Sequence, residues 1–125
     1  MQPVGAMRGA SAAVPSVDDE EDFFDLANLP PEVTGLPMVV WVSQRGRAKH
    51  DARVKVSLVP GRHMNPDQTT SVSVRPAVEI AAGDPLPPSE MAAVRRWVDA
   101  IREPIIDYWD GKLFTNELLE RLIRI

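Results

Sequence analysis

From Asp51 to Leu58 the chain alternates without a break: Ala52, Val54, Val56 and Leu58 share one parity, and Asp51, Arg53, Lys55 and Ser57 the other. Successive side chains of an extended strand point to opposite faces, so this spacing predicts a strand with one face in a core and the other in water or against a charged partner. Upstream, Met38-Val39-Val40-Trp41-Val42-Ser43 is almost continuously apolar, the pattern of a strand covered on both faces. Between the two runs, Gln44 to His50 includes Gly46, which can take the positive φ that a hairpin loop often requires. Leu36 to Leu58 is therefore predicted as a β-hairpin.

The strand pattern continues downstream. Val59 to Gln68 holds Pro60-Gly61 and Asn65-Pro66 turn signals and is expected as a surface loop. Thr70, Val72 and Val74 then alternate with Ser71, Ser73 and Arg75. Beyond Pro76, the extended pattern at Val78 and Ile80 fits either a separate edge strand over 77–80 or a continuation across a bulge. The connections are too short for parallel crossovers, so the sheet is expected to be an antiparallel meander of three to four strands.

Past the connector Gly83 to Pro88 the period changes. Met91, Val94, Trp97, Val98, Ile101, Ile105, Tyr108 and Trp109 recur every three or four residues, opposed by Arg95, Arg96, Asp99, Arg102 and Glu103. This is an amphipathic helix with Ser89 as its expected N-cap; Pro104 either kinks it or splits it, and Gly111 offers a left-handed stop. A last helix is expected from Thr115 as N-cap, with Leu118, Leu119, Leu122 and Ile123 as its buried edge. Strands first and helices last predict an α+β fold, an antiparallel meander with two C-terminal helices packed on one face.

Residues 1–27 read as a disordered acidic tail and 28–125 as a single domain. Met1 to Val17 has no period, and Asp18-Asp19-Glu20-Glu21-Asp22 repels itself before Phe23-Phe24 and Leu26 supply a first apolar anchor. Pro30-Pro31 and Pro37 are expected to exclude regular helix and leave an extended entry to the sheet. Cysteine is absent, which excludes disulfides and thiolate metal sites. No run approaches the roughly 18 apolar residues of a membrane-spanning helix, and no basic segment with an apolar signal core opens the chain; a cytoplasmic protein with no membrane association is expected. The net charge of -4 is unevenly spread. Residues 1–35 hold one basic and seven acidic side chains, 36–75 seven and two, and 76–125 six and nine. The positive surface belongs to the hairpin, and the acidic tail is placed to shield it or to compete with its ligand.

The candidate binding residues follow from that surface: Arg45, Arg47 and Lys49 on the loop, His50 after them, and Arg53 and Lys55 on the polar face of the return strand, about 7 Å apart. Such a cluster suits an acidic protein segment or nucleic-acid phosphates, although a solvated strand face also needs polar residues. No aromatic residue is interleaved with the basic ones, which counts against a general single-strand binder. His50 and Asp51 point to opposite faces if extended, and His63 lies in a loop, so neither a His-carboxylate pair nor a metal signature is present. No cofactor or metal and no catalytic residue are expected, and a binding protein is expected ahead of an enzyme. Trp97, Tyr108 and Trp109 read as core, with Trp109 the candidate for contact with a partner or a second copy.

The hairpin, the segment Ala48-Lys49-His50-Asp51-Ala52-Arg53-Val54-Lys55-Val56 and the helix carrying Trp97 and Asp107-Tyr108-Trp109-Asp110-Gly111 resemble small stand-alone bacterial proteins, most similar to the group named domain of unknown function 4160. The resemblance spans roughly residues 33–125. Members carry a histidine-rich stretch at the hairpin turn, where this chain keeps only His50. Some are suggested to form toxin-antitoxin-like pairs with a small neighbour. The resemblance thus implies a small regulatory protein that binds a protein partner. The alternative is a nucleic-acid binder, or a small toxin-like nuclease with His50 or His63 as its acid-base group.

Overall fold

The computed structural model describes residues 26–123. The tail expected over residues 1–27 therefore lies outside the described residues as far as position 25. Leu26 and Ala27, expected to close it, instead open a strand. The sheet contains β1 (Leu26–Leu29), β2 (Val40–Ser43), β3 (Arg53–Ser57), β4 (Thr69–Ser73) and β5 (Ile80–Ala82), each antiparallel to the next and lying in chain order. Helices α1 (Pro31–Thr34), α2 (Pro88–Trp109) and α3 (Thr115–Glu120) complete the described fold. The α+β meander with C-terminal helices is as expected, but it has five strands rather than three or four. The fifth strand is the edge β1, and the alternative of a separate edge strand over 77–80 is met by β5, shifted to Ile80–Ala82. With four and three residues, β1 and β5 are too short to display alternation, and pairing holds them: Leu26 with Ser43 and Leu29 with Val40 on one side, Val72 with Ile80 on the other.

The hairpin register sets Val40 opposite Val56, Trp41 opposite Lys55 and Val42 opposite Val54. One parity of the sheet is inside: Ala27, Leu29, Val40, Val42, Val54, Val56 and Val72 are buried, with Val94, Trp97, Val98, Ile101, Ile105, Tyr108 and Trp109 of α2 in the same core. The helical stripe is thus the sheet's cover, with only Met91 left half-buried. Fully burying such a side chain is worth about 1.5–3 kcal/mol relative to exposure, which is why a sheet this narrow holds a helix this long. The other parity stays open. Trp41 and Ser43, expected to be covered, are half-buried because among the described residues no second layer lies over them.

Helix boundaries depart from the sequence expectations in instructive ways. Pro31 opens a single turn, α1, where helix was expected to be excluded; at the first helical position its missing N–H would have had no partner anyway. For the same reason α2 begins at Pro88, one residue before the expected cap Ser89. Inside α2 the break is at Ile101 (φ -124°, ψ 27°), so Pro104 falls in the first turn of a restarted helix. Gly111 takes the left-handed conformation (φ 78°) after Asp110, as expected. Phe114, not Thr115, is the N-cap of α3; its N–H donates to Oε1 of Glu117 at 2.8 Å, while the Thr115 hydroxyl pairs with the Tyr108 hydroxyl at 2.8 Å. Of the expected buried edge only Leu118 is fully buried; Leu119 is 46% and Ile123 53% exposed.

Candidate functional site

The open face of the sheet is built by the hairpin and its neighbours. The ladder carries one row of side chains across four strands, Asn28, Trp41, Lys55 and Ser71, because each is paired with the next. Leu26, Ser43 and Arg53 occupy the same parity, toward the β2–β3 loop. Within the row, Nε1–H of Trp41 donates to Oδ1 of Asn28 at 2.6 Å, which fixes the plane of the indole.

The helix supplies the remaining wall. Trp109 is the last residue of α2, and its backbone carbonyl accepts a hydrogen bond from the N–H of Arg45 at 2.9 Å, tying the helix end to the hairpin loop. The loop closes on itself: the N–H of Ala48 donates to the carbonyl of Arg45 at 2.9 Å, and Gly46 takes φ 54°. His50 is thereby brought over Trp109, with ring centroids 5.6 Å apart and planes tilted by 31°. A cavity of about 210 Å³ results, lined by Leu26, Trp41, Ser43, His50, Arg53, Lys55, Ser71 and Trp109.

Its charge is one-sided. Among the described residues, Arg53 and Lys55 line it and no carboxylate does. Asp51, which follows His50 in the chain, is engaged by Arg75, whose Nε and Nη2 donate to its two oxygens at 2.8 and 3.0 Å. Those bonds, helped by the Ala52 N–H and the nearby positive charges of Arg75 and Arg45, hold the Asp51 carboxyl at about 2. It is ionised at neutral pH, and its partner is Arg75. Nδ1–H of His50 donates to the backbone carbonyl of Asp51 at 2.8 Å, so the neutral ring carries its lone pair on Nε2. A carbonyl orients that imidazole where acid-base catalysis commonly employs a carboxylate. His63 follows the far end of β3, whereas His50 precedes its start, and the five-residue strand is itself roughly 17 Å long. Of the two histidines only His50 lines the cavity.

Four of the seven candidate residues meet at the cavity: His50, Arg53, Lys55 and Trp109. Arg45, Arg47 and Lys49 stay exposed on the loop, and Nε of Arg45 donates back to the carbonyl of Ala48 at 3.4 Å. Sequence reasoning did not place Leu26, Trp41, Ser43 or Ser71 there. The signal existed for Trp41 and Ser43, whose parity is opposite to Val40 and Val42; for Leu26 and Ser71 it required the ladder register. The arrangement suits a group that is both apolar and anionic, set against indole surface with cations beside it.

No family model, curated protein or solved structure matches this chain.

Proposed function

We propose that this chain is a non-enzymatic interaction protein whose open sheet face receives an acidic segment of a protein partner, an apolar side chain of that segment entering the cavity at Trp41 and Trp109. The observation that carries this is the cavity lining: two indoles, Arg53, Lys55 and His50, with no carboxylate from the described residues. A second feature favours a polypeptide. Among the described residues β1 pairs only with β2, so its other edge offers backbone donors and acceptors beside Leu26, which itself lines the cavity. The pattern-level resemblance adds a small dedicated protein, as in a toxin-antitoxin-like pair, as the class of partner.

A fluorescein-labelled peptide of glutamates and phenylalanines tests it at low salt. Charge reversal of Arg53 and Lys55 to Glu should weaken binding at least about tenfold, about 1.4 kcal/mol or more, and leave the thermal unfolding midpoint unchanged. Equal binding by the reversed variant would sink the proposal. One observation favours a second possibility, single-stranded nucleic acid: Trp41 stands directly opposite Lys55, and a base stacked on an indole beside a cation gains about 1–3 kcal/mol. An oligonucleotide that binds where the peptide does not would put that possibility first. A nucleolytic role at His50 would then be tested by His50→Ala, with loss of RNA cleavage expected.

A further inference from the structure

Leu26, the first described residue, lines the cavity and pairs with Ser43, the last residue of β2. The preceding chain therefore joins the sheet at the cavity's own border, on the side of the hairpin loop. That chain is Asp18-Asp19-Glu20-Glu21-Asp22-Phe23-Phe24-Asp25, six carboxylates and two phenyl rings within eight residues. It carries the two things that a lining of indoles and cations is suited to receive, aromatic side chains and negative charge.

We infer that this segment is an occupant of the site and competes there with the partner. The inference rests on the function proposed above and names what regulates it. Strands lie about 4.8 Å apart, so β3 with Arg53 and Lys55 is roughly 10 Å from β1, while eight residues can span up to about 26 Å. The segment is long enough to turn back at the border, set a phenylalanine against Trp41 and Trp109, and bring carboxylates to Arg53 and Lys55. Tethering makes this effective: a short linker gives a local concentration on the order of 1 mM, so even a segment affinity of about 0.1 mM weakens a competitor about tenfold.

Two full-length variants test it. One neutralises the charge (D18N, D19N, E20Q, E21Q, D22N and D25N); the other keeps the charge and removes the rings (F23A and F24A). Both should bind the labelled glutamate-phenylalanine peptide about tenfold more tightly than the wild-type chain. In both, the indole N–H resonances of Trp41 and Trp109 should move while that of Trp97, buried in the core, stays in place. Peptide binding equal to wild type in both variants, with unmoved resonances, overturns the inference while the proposed function stands. Tighter binding in the charge variant alone, again with unmoved resonances, is long-range repulsion and overturns it as well. If the peptide binds none of the three chains, the proposed function falls and this inference falls with it.

Discussion

Arg75 spans from the end of β4 to Asp51, and its fork engages both carboxylate oxygens. This contact decides the electrostatics of the neighbouring cavity, because it satisfies the acid that sits between His50 and Arg53 in the chain. Asp51 has its carboxyl lowered from 3.8 to about 2, first by the hydrogen bonds from Arg75. A carboxyl depressed in the folded state contributes stability above its unfolded value, and that contribution is lost as pH falls from about 4 through about 2. Arg75→Ala should therefore raise the Asp51 midpoint toward 3.8, followed through the side-chain carboxyl carbon resonance, and remove its part of the acid-induced loss. The pair is exposed, so the change at neutral pH should be small. Arg75→Ala also leaves the Asp51 charge without its partner beside the cavity, and peptide affinity should drop. An unmoved midpoint would show that the ion pair does not form in solution.

At the scale of elements, α2 and α3 show how far local preference carries. Pro104 would cost about 3 kcal/mol in a helix interior. Since the helix restarts after Ile101, Pro104→Ala should change the unfolding free energy by less than about 1 kcal/mol in denaturant titrations; a gain near 3 would mean the helix runs unbroken. In α3 adjacent leucines separate sharply. Leu118→Ala should cost about 2–5 kcal/mol, because the side chain is fully buried and leaves a cavity, while Leu119→Ala should stay within about 0.5 kcal/mol. Both leucines fit an apolar helix edge when only the period is considered. Docking against α2 through the Tyr108 to Thr115 hydroxyl pair chooses between them.

At the scale of the whole molecule, the protein carries its negative charge on both sides of a positive centre: the net -4 is the residue of an acidic N-terminal block, a basic hairpin block and a mildly acidic helical block. Binding at the open face should accordingly weaken as salt rises. At 0.1 M the Debye length is about 10 Å, similar to the distance from β1 to β3, so rising ionic strength should weaken peptide affinity in the wild-type chain less than in the charge-neutralised variant. In the wild type, salt also releases the competing segment. A steeper slope for the wild type, measured by fluorescence anisotropy across a salt series, would contradict competition. Much of this design was legible in the residues themselves. Strict alternation from Asp51 to Leu58 and the three-four spacing from Met91 to Trp109 are local consequences of where a side chain points on a strand or a helix, so they announced the hairpin, the covering helix, the α+β class and the basic cluster. Edge strand β1 was not legible, and β5 only as one of two alternatives with other bounds, because a three- or four-residue strand has no period of its own and exists through its neighbour's hydrogen bonds. Nor was the cavity. Trp41 meets Asn28 and Lys55 through ladder register, and Trp109 meets His50 through the hydrogen bond that ties a helix end to a loop more than sixty residues earlier. Chain spacing determined which residues face in or out; only the tertiary structure decided which of them touch, since contacts between distant segments depend on packing that no local pattern encodes.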